Sequence, residues 1–361
     1  MINLSRDSAS GYSAEFVITD NGNDYSPAAD IPVSNLVLQD DAGNLSNTYS
    51  GYISQSSDPI DANLPVVTNI TIDNDTLLAG DVGTAYITVE ADGGDFPSLL
   101  SGKIGDYSLS NLLRVNSTSY RAQFNINEVG TDYQGSDTLF VDSFVLVDDA
   151  GNESAMFLDT IVQSDDLIDA NSPSISGVAI PDEAMKVGDL VMAVITVADD
   201  GGDFPFLTSG SIGGFPLDSL GDSTSTKYKA WFTITEGGTD FKGSDNIPVS
   251  NLLLTDSAGN TSNTFTGSIS QNNDTIDANS PAISYVSIPN KPMRVGDTIN
   301  ANISVENDGG DFPELISGTI GTFNMDTLYR LTATAYAADI VITDSDTTFK
   351  ASANIPVNNL V

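Results

Sequence analysis

Neither cysteine nor histidine occurs in this chain of 361 residues, tryptophan occurs once, and 12 Lys+Arg stand against 50 Asp+Glu. Without cysteine there are no disulfides, thiolate metal sites or thiol nucleophiles, so stability must come from apolar cores or oxygen-ligated metals. Without histidine, Ser-His-Asp chemistry is excluded, and zinc and copper lose their commonest ligand. The formal charge of -38 repels nucleic acid and anionic membrane surfaces, and makes divalent cations the natural complement. The same acidity also serves solubility. No apolar run reaches the ~18 residues of a membrane-spanning helix, so no membrane insertion is expected in this segment. The opening MINLSRDSASGYSAEF lacks a signal-peptide core, and a secretion signal, if used, is expected outside this stretch.

What is present is repetition. IDANLP at Asp61 returns as IDANSP at Asp169 and Asp277, a period of 108 residues. Tyr12, Tyr120, Tyr228 and Tyr336 keep the same register, as do Gly43, Gly151 and Gly259. Four copies are expected: a C-terminal half over 1–60, complete repeats over 61–168 and 169–276, and a truncated repeat over 277–361. On this register Met1 aligns with Leu109, so both ends are expected to cut through a repeat.

Within each copy the apolar residues alternate. Tyr228, Ala230, Phe232 and Ile234 are interleaved with Lys229, Trp231, Thr233 and Thr235, the pattern of a half-buried strand. SISGVAI, LVMAVITV, SGSIGGF, VSNLLLTD and TSNTFTGSIS give further strands between Gly, Asp, Asn and Pro clusters, and no window carries a capped helical stripe. About seven strands per repeat predict an all-β chain of tandem immunoglobulin-like β-sandwich repeats.

Three acidic motifs recur. DxAGN, led by Asp40, Asp148 and Asp256, lies between strand patterns and suits a turn, with Asp capping and Gly supplying the left-handed residue. The linker repeats Asp58, Asp61 and Asn63 as Asp166, Asp169 and Asn171, and as Asp274, Asp277 and Asn279. Its oxygens can form part of a Ca²⁺ cage, or can be ordinary turn formers. DGGDFP places Asp92 and Asp95, Asp200 and Asp203, and Asp308 and Asp311 at a tight loop or a second cation site. The acids after the Tyr-Ala-Phe strand, Asp20, Glu128, Glu236 and Asp344, are expected to be solvated. Carboxylate pairs also suggest a glycosidase, but a catalytic site repeated in every copy of an array argues against an enzyme. SGSIGG lacks the helix that a phosphate loop needs.

The YxAxFxI strand, the IPVSNLxLxDxAGNxSN segment and the IDANSP linker together resemble the bacterial Ig-like repeats of giant surface adhesins, including the extender regions of calcium-dependent RTX-type adhesins. The resemblance implies an extracellular stalk of end-to-end domains, with Ca²⁺ at the junctions. It implies ligands at Asp58, Asp61 and Asn63 and their copies, joined by hairpin Asp40, Asp148 or Asp256. The partners expected are calcium and neighbouring repeats; a distal adhesion ligand is not indicated. The glycine-rich nonapeptides of RTX segments are missing. The alternative is repeated glycan- or protein-binding modules. Trp231 aligns with Glu15, Gln123 and Asp339, a variability on the outward face that favours the spacer.

Overall fold

The computed structural model describes the chain except for residues 1, 55–59, 92–95, 135–136, 163–167, 199–203, 271–274, 308–311 and 345–346. The described residues are strands, turns and irregular segments without a helix. They pack as two units, one of Met1–Ser172 with Ala258–Asn260, the other of Pro173–Ser257 with Thr261–Val361. The protein is all-β and built of tandem immunoglobulin-like sandwiches.

In the first unit, one four-stranded sheet runs Ser110–Asn116, Ser119–Asn125, Val82–Val89, Val67–Ile72, and the facing sheet runs Phe157–Val162, Thr138–Val147, Ser98–Ile104, Tyr107–Ser108. All pairs within these sheets are antiparallel. Alternation explains the layering: Tyr120, Ala122, Phe124 and Ile126 are buried and meet Ile104, Leu139, Phe144 and Leu146 from the other sheet. A short parallel ladder joins Leu77–Leu78 to Ile168–Asp169.

The second unit repeats this plan. Ile175–Ala179, Leu190–Val197, Lys227–Thr233 and Leu220–Thr224 form one sheet; Phe215–Pro216, Phe206–Ile212, Asn246–Thr255 and Phe265–Ser270 form the other. Its parallel ladder joins Met185–Lys186 to Ile276–Asp277. Tyr228, Ala230, Phe232 and Ile234 are all buried, as their alternation predicts. Leu220–Thr224, polar and without alternation, gave no strand signal. A third core in this unit gathers Ile299, Ala301, Ile303, Tyr336, Ala338 and Ile340.

Residues before 60 behave differently. They form two two-stranded ribbons, Ile2–Arg6 with Tyr12–Glu15 and Ile31–Leu36 with Tyr49–Ile53. Tyr12, Phe16 and Ile18, whose counterparts fill cores elsewhere, are exposed here. A strand face is buried only where a second sheet covers it.

A register shift recurs at one position of the repeat in the three copies that carry the strand pair, between Val33/Leu36, Val141/Phe144 and Val249/Leu252. At the shift Asn35, Ser143 and Asn251, together with their counterpart Asn359, adopt positive φ of 57°, 52°, 52° and 50°. A β-bulge needs one residue off the β conformation, and asparagine tolerates the left-handed region better than most side chains.

Candidate functional site: a clasp on the linker

The recurring DxAGN segments are hairpin turns. Asp40 Oδ1 accepts the amides of Ala42 at 2.9 Å and Asn44 at 2.8 Å, while its Oδ2 accepts the Asn44 side chain at 2.9 Å. Asp148 takes the Asn152 amide and side chain at 2.8 and 3.0 Å. Gly43, Gly151 and Gly259 have φ of 88°, 96° and 120°, a conformation that costs glycine little. The hydrogen bonds from Asn44 hold the Asp40 carboxyl below its ordinary range. Asp148 and Asp256 are buried.

The linker is held by a loop that sequence reasoning did not single out. Asp132 Oδ1 accepts the Ala170 amide at 2.8 Å, and the Asn171 side-chain amide donates to both oxygens of Asp132 at 2.7 and 2.8 Å. Asp24 does the same for Ala62 at 2.9 Å and for Asn63 at 2.7 Å. Asp240 does so for Ala278 and Asn279, both at 2.8 Å. The signal was present in the sequence: Asp24, Asp132 and Asp240 share the 108-residue register of the linker itself.

Each linker aspartate turns inward on its own segment. Asp61, Asp169 and Asp277 accept the amides of Asn63, Asn171 and Asn279 at 3.1, 3.2 and 3.2 Å. Asp169 is almost fully buried, at 2 % exposure. Its carbonyl accepts the Asn260 side chain at 3.2 Å, and Asn260 Oδ1 in turn accepts the Ala79 amide at 2.9 Å, all within the first unit.

The acids expected to be solvated finish the clasp, although they remain exposed. Glu128 accepts the amide and hydroxyl of Ser172 at 2.8 and 2.9 Å, and Glu236 accepts the Ser280 amide at 2.9 Å. The Ser280 hydrogen bonds hold the Glu236 carboxyl below its ordinary range. Asp20 reaches the Leu64 amide at 3.4 Å.

Packing explains the small residues. Ala62, Ala170 and Ala278 are buried, and a methyl group placed on Gly22, Gly130 or Gly238 would come within 2.8, 2.9 or 3.0 Å of their Cβ atoms. Glycine in the loop and alanine in the linker let the two backbones close. Tyr107 steadies the loop by donating to the Thr131 carbonyl at 2.6 Å. Burial, with the Asp132 charge adding to it, pushes the Tyr107 hydroxyl up to about 12.

One strained position remains in this loop. Val129 has φ 64° where the matching residue of the next repeat is Gly237 at 79°. A β-branched side chain there is disfavoured by steric contact with its own backbone.

The expected cation ligands are only partly brought together. Asp58, Asp166 and Asp274 lie outside the described residues, as do Asp92, Asp95, Asp200, Asp203, Asp308 and Asp311. Among the described residues no three carboxylates converge in a metal-holding group. Asn63, Asn171 and Asn279 turn amide nitrogen toward aspartate, which makes them clasp donors. Also among the described residues, no helix is long and apolar enough to cross a membrane.

No family model matches the chain, and no curated protein does. Solved structures with similar folds include a Ca²⁺-stabilized adhesin that helps an Antarctic bacterium reach out and bind ice. It is 12% identical, with 89% of this chain and 78% of that one covered at a TM-score of 0.31. A 1.5-MDa bacterial ice-binding adhesin, from work on its host cell surface retention, is 14% identical, with 82% and 96% covered at 0.26. The titin I-band fragment I67–I69 is 10% identical, with 78% and 89% covered at 0.34. These values describe likeness of fold type and assign nothing further.

Proposed function

We propose that this chain is a non-catalytic segment of the extracellular spacer array of a bacterial surface adhesin, its junctions rigidified by calcium. The observation that carries the reading is the clasp. The same set of hydrogen bonds fixes the chain as it leaves each of three successive copies, at Ala62–Asn63, Ala170–Asn171 and Ala278–Asn279. A spacer must set the direction in which one domain hands the chain to the next. On this reading the repeats are the domains 1–60, 61–168, 169–276 and 277–361.

Calcium would act at the linker aspartates Asp58, Asp61, Asp166, Asp169, Asp274 and Asp277, helped by hairpin Asp40, Asp148 and Asp256. The donors are all oxygen, which suits a hard cation, and a buried carboxylate such as Asp169 favours one. The Asn63, Asn171 and Asn279 oxygens are the part of each amide left for a cation. Extracellular sites commonly bind at about 0.1 to 1 mM, and at ten times that dissociation constant a site adds only ~1.4 kcal/mol. Such an increment fixes an angle without creating a domain.

Small-angle scattering in calcium and in chelator tests this. A longer, straighter particle in calcium with unchanged circular dichroism is expected, and Asp169→Ala with Asp277→Ala should remove the difference. Identical scattering curves in the two buffers would defeat the calcium reading.

A further inference from the structure

Asn21 is followed by Gly22, and no other Asn-Gly pair occurs in the 361 residues. The pair lies in the loop that holds the linker of the first clasp. Asparagine can react with its own main chain: the next residue's amide nitrogen attacks the side-chain carbonyl carbon and closes a five-membered ring. Glycine, with no Cβ to crowd the approach, is the neighbour that hinders this attack least. Asn21 is exposed, as are Val129 and Gly237, which hold the matching position in the two complete repeats. Its accessibility therefore belongs to the clasp loop itself.

Three hydrogen bonds hold the pair in its folded form. The Asn21 main-chain amide donates to Asp20 Oδ1 at 2.9 Å, and the Asn21 side-chain amide donates to Asp20 Oδ2 at 3.0 Å. The Gly22 amide, the group that would attack, donates to the Ala62 carbonyl at 3.3 Å. Its proton must leave before the nitrogen can act as a nucleophile, so the bond to Ala62 withholds it. Asp24 fixes Ala62 in turn, through the Ala62 amide at 2.9 Å and the neighbouring Asn63 side chain at 2.7 Å. Opening the clasp frees the Gly22 amide; closing it suppresses the reaction. In the complete repeats the matching glycines, Gly130 and Gly238, turn their amides to the Asn127 and Thr235 carbonyls instead, and valine or glycine stands where the asparagine would be.

We propose that Asn21 is a site of spontaneous deamidation and isoaspartate formation, governed by the first clasp. The bond from Gly22 N to Asn21 Cγ forms as the Cγ–Nδ2 bond breaks, and Nδ2 leaves as ammonia with the proton given up by the Gly22 amide. Water then opens the ring at either carbonyl, giving aspartate or, with the main chain rerouted through the side chain, isoaspartate. Either product sets a new carboxylate next to Asp20 and removes the donor that Asp20 Oδ2 accepts, so attraction becomes like-charge repulsion. Isoaspartate also lengthens the main chain where packing is tight, since a methyl group on Gly22 would come within 2.8 Å of Ala62 Cβ. Conversion thus loosens the clasp that restrained it, and with the ammonia lost the change runs one way.

The test is storage of the full chain at mildly alkaline pH, followed by peptide mapping in the mass spectrometer and enzymatic labelling of isoaspartate. Isoaspartate is expected at Asn21 ahead of every other asparagine. In Asn63→Ala, which removes the side-chain donor to Asp24, it should form there about tenfold faster. Asn21→Gly, the residue found at 237 and suited to the φ of 63°, is the control. Hydrogen exchange at the Ala62 amide should quicken as the unaltered chain is stored and stay constant in stored Asn21→Gly. Isoaspartate appearing first elsewhere, a rate at Asn21 that Asn63→Ala leaves unchanged, or conversion without faster exchange at Ala62 overturns the proposal.

Discussion

The side-chain amide of Asn171 spans both carboxylate oxygens of Asp132, 39 residues earlier in the chain. Charge-assisted bonds of this type contribute more than neutral ones, about 1.5–3 kcal/mol each when partly shielded. Asn171→Ala should therefore open the clasp locally. Hydrogen exchange is expected to quicken about tenfold or more at the Ala170 and Val129 amides, which bond to Asp132 and to the Ala170 carbonyl. Amides in Ser119–Asn125 should be unaffected.

Val129 offers the opposite sign. Replacing it with glycine, the residue found at 237, relieves a left-handed β-branched side chain that contributes no core contact and is exposed. Val129→Gly should stabilise the surrounding sandwich by about 1 kcal/mol, the steric gain exceeding the added freedom of the unfolded chain. Urea denaturation with hydrogen exchange read at the Tyr120 and Phe124 amides, both in the core of this sandwich, measures the midpoint.

Ser143 makes the same argument in the facing sheet. Three of the four bulge positions hold asparagine, and Ser143 adopts the same positive φ. Ser143→Asn is expected to stabilise by a few tenths of a kcal/mol. A loss of stability in thermal unfolding would show that the Ser143 hydroxyl bond to Asp142 outweighs the backbone preference.

Acid should release the clasp. The Glu236 carboxyl is held below its ordinary range by Ser280, so its contribution is complete above the unfolded value near pH ~4.3 and is lost as pH falls through the lower folded value. Exchange at the Ser280 amide, measured down this range and corrected for intrinsic rate, should rise below that point. In Glu236→Gln the additional rise should vanish.

Much of the sandwich was legible because its signals are local. Alternation at Tyr228, Ala230, Phe232 and Ile234 reports a buried face, and Asp with Gly at 40 and 43 reports a turn. Leu220–Thr224 escaped because an edge strand needs only one backbone partner and little apolar surface. Asp132 escaped for another reason. It works by meeting a linker 39 residues onward, and no short motif contains both halves of that contact. The shared period of 108 residues linked them, yet periodicity alone says which residues recur and leaves open which of them touch.

The linker's exit at Ile168 and Asp169 has a mechanical meaning. Parallel pairing to Leu77–Leu78, reciprocal bonds between Ile168 and Tyr133 at 2.8 Å, and the Asp132 clasp succeed one another within four residues. Tension along the linker would load a parallel ladder in shear, so its bonds share the force instead of parting one after another. The first rupture under pull should accordingly be abrupt, and should set free a whole sandwich end together with its leash.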